Sequence, residues 1–210
     1  MTIAEFVQNR GITEVLHYTT NSGLTGIIAQ RAIKCRNLLR EDDYLEHIYK
    51  QACVDRRLDR PYHGYVNLSL SRINAGLFNI ASGNWHRDID GYWCIFSIRP
   101  EILNHDSVIF TTTNNIYPSV CRGKGLRGLE SMFSESVSGR YGSTISRRVE
   151  TPASFPTCPQ AEVLYPNELS LDYVETIYFK SGEDADAARG AFDACSVPPV
   201  PCVVNGAKFQ

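Results

Sequence analysis

Apolar and polar positions alternate most cleanly at 65–71, where Val66, Leu68 and Leu70 fall on one side and Asn67, Ser69 and Ser71 on the other. A period of two is that of a strand with one core face and one polar face. Residues 12–18 have strand character and run into Thr19-Thr20-Asn21-Ser22, after which residues 23–29 place Leu24, Ile27 and Ile28 at helical spacing. A strand, a polar cap and a helix are expected in that order. The apolar, aromatic-rich run at 91–98, bounded by Arg99-Pro100, predicts a buried strand, and 107–110 predicts another. Strand composition returns at 161–165 and 173–179. Residues 46–60 are charged and compatible with helix until Arg56-Arg57-Leu58-Asp59-Arg60, where Pro61 forces the chain into a loop. From 117 to 159 the pattern breaks into glycines, serines and basic residues around one amphipathic piece at 126–133. So long an irregular stretch is usually functional or disordered. The tail contains Val197-Pro198-Pro199-Val200-Pro201, which excludes helix there. Neither a repeat nor a boundary interrupts the chain, so one domain over 1–210 is expected.

Composition adds bounds. With 210 residues, 43% hydrophobic and 21% charged, the chain can bury a core without staples. A net charge of −2 gives no global reason to bind a polyanion, so a nucleic-acid site must come from a local patch. The seven cysteines form no Cys-x-x-Cys pair and no Cys/His cluster, which predicts reduced, mostly packed thiols and no metal. The N-terminus lacks a signal-peptide pattern and no apolar run approaches the roughly 20 residues that span a bilayer, so a cytoplasmic location without membrane association is expected.

Three polar segments can carry chemistry. In Gln160-Ala161-Glu162, strand alternation places the amide and the carboxylate on the same side, roughly 7 Å apart. His17-Tyr18-Thr19 closes the first expected strand, and Asn67-Leu68-Ser69-Leu70-Ser71 offers small polar groups from another. Strand ends beside a cleft are where such groups meet a nucleotide. No Gly-x-Gly-x-x-Gly or Gly-x-x-x-x-Gly-Lys-Ser/Thr element is present, which removes Rossmann and P-loop readings.

These segments resemble those of the ADP-ribosyltransferases, and among them the DarT toxins that modify DNA bases. The resemblance rests on His17-Tyr18-Thr19, on Arg57-Leu58-Asp59 before 65–71, and on Pro159-Gln160-Ala161-Glu162-Val163-Leu164, and it covers most of residues 12–180. The Arg-Leu-Asp element and the hydroxyl strand look like the branch that acts on guanine. The resemblance implies an α+β fold, a split β-sandwich with flanking helices, and NAD+ as co-substrate held in a cleft. It implies Glu162 as the catalytic carboxylate with Arg57, and His17, Tyr18, Thr19, Asn21 and Ser69 around NAD+. Arg56 and Arg60 stand close enough to share the role given to Arg57. Tyr65 and Phe78 are candidates to stack on nicotinamide. A carboxylate beside the ribose stabilises positive charge that develops only in the transition state, and it can take a proton from a weakly nucleophilic base.

The residue two before the glutamate, here Gln160, is implied to contact the acceptor, and an amide can read a base edge. From 121 to 150 six basic residues (Arg122, Lys124, Arg127, Arg140, Arg147, Arg148) face three acids, with Tyr117, Phe133 and Tyr141 interleaved. That is a patch for a phosphate backbone, and Arg147 and Arg148 are expected to bind it. Single-stranded DNA is favoured because a base in a duplex must be flipped out at a cost of a few kcal/mol. The resemblance further implies a toxin paired with a reversing antitoxin hydrolase of the macrodomain type or similar, in an anti-phage setting. RNA or protein acceptors and a non-catalytic nucleic-acid-binding module are the alternatives.

Overall fold

The computed structural model describes residues 1–39, 60–85 and 91–210, so Cys53, Arg56 and Arg57 lie outside the described residues, as does the charged segment before Arg60. Helix α1 (Ile3–Arg10) begins at a capping box in which Thr2 and Glu5 satisfy each other's backbone amides. Strand β1 (Val15–Thr20) starts later than the apolar pattern suggested, and Thr20 caps helix α2 (Asn21–Gln30) by accepting from the Gly23 amide at 3.4 Å. Leu24, Ile27 and Ile28 are buried, as their spacing required. A Cβ at Gly23 would stand 2.1 Å from Thr19 Oγ1, so any larger residue here would displace the Thr19 side chain.

The remaining elements are β2 (Ala32–Lys34), β3 (Tyr65–Leu70), α3 (Ala75–Ile80), β4 (Trp93–Ile98), β5 (Ile109–Thr111), β6 (Arg122–Lys124), α4 (Gly125–Ser131), β7 (Ser136–Ser138), β8 (Thr144–Ser146), β9 (Glu162–Pro166), β10 (Glu168–Ser170), β11 (Val174–Phe179), α5 (Gly182–Ala194) and β12 (Cys202–Val204). Eight strands form a sheet in the order β12-β11-β4-β1-β3-β9-β5-β6, with β10-β2 and β7-β8 as two-stranded additions.

The central junction positions the site. β3 pairs with β1 only through Leu70–Val15 and Ser69–Leu16, and with β9 from Tyr65–Pro166 to Leu68–Val163. β1 stays on β4 as far as Thr20. From His17 onward β1 therefore parts from β3, and the sheet splits into two halves that share only the end of one strand. This is the expected α+β, split-sandwich architecture with flanking helices. The main core, including Phe96, Phe110, Val163, Phe179 and Phe192, takes in both halves, and a smaller cluster of Leu16, Ile73, Phe78, Ile95 and Phe209 forms a second.

Two expectations are corrected. Residues 117–159 are not one irregular stretch: they contain β6, α4 and the β7–β8 hairpin. Gly123 and Gly128 let β6 and α4 meet backbone to backbone, because a Cβ on Gly128 would lie 2.4 Å from the Gly123 carbonyl carbon. The hydroxyl row at 65–71 is cut short as well. β3 ends at Leu70, and Ser71 turns away with φ 61°, its Oγ buried and without a partner. Among the described residues no helix is long and apolar enough to cross a membrane.

Candidate active site at the split

Glu162 opens β9 opposite Thr111 of β5. Thr111 is fully buried; its hydroxyl accepts from the Glu162 amide at 3.0 Å, and its one proton lies between the Thr113 carbonyl at 2.7 Å and the Glu162 carbonyl at 3.2 Å. One threonine thus ties the Glu162 backbone to the Thr113 carbonyl and satisfies the Glu162 amide at a partly buried strand end. The carboxylate is fixed from two directions. Asn67 Nδ2 donates to Oε1 at 3.2 Å, and the Asn115 amide donates to Oε2 at 2.6 Å.

Asn115 is in turn clamped. Arg122 Nε donates to its Oδ1 at 2.7 Å and Nη2 to its carbonyl at 2.6 Å, while the guanidinium stacks 4.7 Å from the Tyr62 ring centroid. Nearby, Thr113 Oγ1 is 3.2 Å from Cys158 Sγ, which accepts from the Gln160 amide at 3.3 Å. Two asparagines, one of them clamped by an arginine, therefore hold the carboxylate at the end of a strand whose backbone Thr111 anchors.

His17 stands across the split. Its Nδ1 lies 3.1 Å from the carbonyl of Asn67. A carbonyl only accepts, so Nδ1 carries the proton, and in the neutral ring Nε2 is left as an acceptor. Burial pushes the imidazole below its usual 6.5, the hydrogen bond to Asn67 opposing this only in part, which keeps the ring neutral at pH 7. Asn67 thus holds His17 through its backbone and Glu162 through its side chain.

The other candidate residues divide. Ser69 is buried on the same face of β3 as Asn67, where β3 pairs with Leu16 of β1, and Thr19 is buried against Gly23 on the same face of β1 as His17. Asn21 begins α2 with its Oδ1 buried and without a partner, and lies so close to Gly91 that a Cβ there would stand 2.4 Å away. Tyr18 is on the opposite face of β1, its ring 5.5 Å from Phe78 and 6.0 Å from Trp93; Phe78 is itself fully buried. Gln160 lies in a turn rather than on the strand, its Oε1 accepting from Tyr117 Oη at 3.0 Å. Arg147 spends its guanidinium on the carbonyls of Phe155 and Pro152, each at 2.7 Å, whereas Arg148 is exposed. Arg60 is exposed, and Arg57 lies outside the described residues. Among those residues no His, Cys, Asp and Glu cluster is arranged for a metal.

Comparison with known proteins decides the family. A family model described as DarT, an ssDNA thymidine ADP-ribosyltransferase, matches residues 16–209. The chain belongs to the DarT family. Among solved structures, DarT from Thermus sp. 2.9 in complex with NAD+ aligns with a TM-score of 0.67 and 13% identity, covering 94% of this chain and 98% of that one. The same protein in complex with ADP-ribosylated ssDNA aligns at 0.65 and 12% identity, over 95% and 97% of the two chains. DarTG from Thermosipho africanus in complex with ADP-ribose aligns at 0.55 and 13% identity, covering 94% of this chain and 51% of that one. A search of curated proteins finds none that matches the sequence.

For this DarT-family chain, the residues that the sequence reading missed are Asn115, Thr111 and Arg122. The first two sit in a Thr-Thr-Thr-Asn-Asn run with no periodicity, at 47 and 51 positions from Glu162. Arg122 entered only as one charge of a basic segment; the residue is exposed, yet its guanidinium is bonded to Asn115. Its signal is chemical: a strand end that must present a carboxylate needs donors and hydroxyls close by.

Proposed function

We propose that this chain transfers ADP-ribose from NAD+ to a base of single-stranded DNA and releases nicotinamide. The observation that carries the proposal is Asn67, whose backbone carbonyl holds His17 and whose side chain holds Glu162 where the two half-sheets part. That arrangement brings an acceptor for ribose hydroxyls and a rigid carboxylate to one opening. As the nicotinamide–ribose bond breaks, its electron pair leaves with nicotinamide, and Glu162 faces the positive charge that develops at the ribose. A base nitrogen then bonds to that carbon, and its proton passes to Glu162 or to water.

His17 Nε2 accepts from a ribose hydroxyl of the donor. Thr19 and Ser69 line the nicotinamide side, and the orphaned Oδ1 of Asn21 offers a buried acceptor to a donor such as an amide or hydroxyl of the dinucleotide. Tyr18 supports this wall from behind through Phe78 and Trp93. Arg57 is assigned to the pyrophosphate or the reacting groups by the resemblance alone. Gln160 faces the acceptor, and the exposed Arg148, with Lys124 and Arg127, supplies positive charge to the phosphates. Arg147 contributes by shaping the loop that carries Arg148.

The acceptor base is a keto base. The likeness at Arg57-Leu58-Asp59 and in the hydroxyl strand points to guanine, and the description of the family names thymidine. A covalent adduct on a template base blocks copying, so the chain is read as a toxin whose lesion a partner hydrolase, of the macrodomain type or similar, removes. The test is labelled NAD+ with single-stranded DNA, duplex DNA, RNA and protein as acceptors, followed by digestion of labelled DNA to nucleosides. Label entering single-stranded DNA in a Glu162-dependent manner is expected. Label entering only RNA or protein would shift the acceptor, and oligonucleotide binding without nicotinamide release would leave a non-catalytic module. Expression in bacteria that is tolerated only after Glu162 is replaced would support the toxin role.

A further inference from the structure

We infer that Tyr117 is a specificity-determining positioning residue: by donating its hydroxyl to Gln160 Oε1 it turns the Gln160 amide so that the NH2 group alone is presented to the acceptor base. The inference rests on the proposed transfer to DNA and adds to it a reason why bases with a carbonyl at the pyrimidine 4 or purine 6 position (thymine, guanine) are chosen over bases with an amino group there (cytosine, adenine).

The amide is fixed from both ends. On the Gln160 side, the backbone amide of Gln160 donates to Cys158 Sγ at 3.3 Å and that of Ala161 to the Cys158 carbonyl at 3.1 Å, so the turn leading to Glu162 cannot swing. On the other side, the Tyr117 amide donates to the Asn114 carbonyl at 3.1 Å and the Val120 amide to the Tyr117 carbonyl at 3.1 Å, which sets the backbone from which the phenol projects. Both groups are half-buried, and their hydrogen bond is 3.0 Å long. The loop that carries Tyr117 also carries Asn115, whose amide holds Glu162 Oε2 at 2.6 Å. The reading group and the carboxylate are thus referenced to one loop, itself pinned by Arg122.

With Oε1 turned to the Tyr117 hydroxyl, Gln160 directs the two N–H donors of its Nε2 to the other side. Thymine O4 and guanine O6 accept, whereas cytosine N4 and adenine N6 donate. Setting N–H against N–H leaves two half-buried donors unpaired, a loss that discriminates by about tenfold or more. No base identity beyond keto or amino follows from this device.

The experiment uses the full chain, NAD+, and four single strands that each carry one base of a different kind among abasic spacers. Adduct formation is read by mass, and kcat/KM is compared across bases. Wild type is expected to favour thymine and guanine over cytosine and adenine by about tenfold or more. Tyr117→Phe keeps the ring and frees the amide to rotate, and is expected to narrow that ratio to within about threefold while the rate on the preferred base falls less than the ratio does. Gln160→Glu, which can only accept, is expected to shift preference toward the amino bases. An unchanged ratio in both variants would overturn the role of Tyr117 and leave the transferase standing. A wild-type chain that modifies none of the four strands would instead sink the proposed function, and this inference with it.

Discussion

Two neighbouring stretches, 111–122 and 136–149, are tied together where Ser119 Oγ donates to the Gly139 carbonyl at 3.0 Å, yet they use similar residues in opposite ways. In the first, Thr111, Thr112, Thr113 and Asn115 are buried and bonded, and Arg122 is turned onto Asn115. In the second, Tyr141 is 89% exposed with a left-handed φ of 56°, Arg140 stacks over its ring at 4.6 Å, and Arg148 and Val149 face water. A bulky residue held in that backbone region costs energy and calls for a reason. Buried polar groups position, because every lost bond is felt. Exposed rings and charges are available to a partner. The difference separates the groups that hold Glu162 from the surface proposed to meet DNA.

Substitutions on each side should therefore fail in different ways. The largest effect is expected from Glu162→Gln, which keeps the shape and removes the charge: nicotinamide release should fall by about a thousandfold while affinity for single-stranded DNA stays within twofold. Next comes Arg122→Met, which removes both bonds to Asn115 and keeps an apolar stem. Loss of carboxylate alignment should lower kcat by about ten- to a hundredfold, measured in single-turnover release. If Arg122 instead acts as a phosphate ligand, its loss would appear in DNA affinity and not in kcat.

On the exposed side, Tyr141→Ala should weaken single-stranded DNA by about tenfold, as removal of one stacking ring does, with kcat at saturating DNA retained. Arg148→Ala should do less, lowering affinity by a few-fold and reducing the slope of log affinity against log salt by about 0.7. A smaller effect on stability is expected at His17. Its pKa in the fold lies below the usual 6.5, so below that pH the unfolded chain takes up a proton that the folded chain resists. Stability should rise with pH through this window and be lost as pH falls from about 6.5 toward the folded value. Thermal unfolding of His17→Gln between pH 7.5 and 5.5 should show a weaker dependence than wild type.

What was legible in the sequence follows from the same division. β3 could be read because six residues alternate, and the strand that Glu162 opens because an apolar run follows it; the role of Glu162 came from the resemblance. α5 was missed, since Ala185, Ala188 and Phe192 bury its face with residues too small to mark a period, although Ser181 and the acids Glu183 and Asp184 announce its start. The β7–β8 hairpin was missed because three-residue strands establish no pattern. The clamp around Glu162 joins positions 95 and 47 residues distant from it, and no local rule brings Asn67 and Asn115 together. Charge counting likewise could not tell Arg122 and Arg147, whose guanidinium groups bond to Asn115 and to the Phe155 and Pro152 carbonyls, from the exposed Arg148.

The most direct measurement is the mass of a mixed-sequence single-stranded oligonucleotide after incubation with NAD+ and either wild type or Glu162→Gln. Wild type is expected to add one ADP-ribose and Glu162→Gln to leave the mass unchanged, although both bind the strand. An unmodified oligonucleotide with wild type, or equal modification by both proteins, would contradict the proposed transfer.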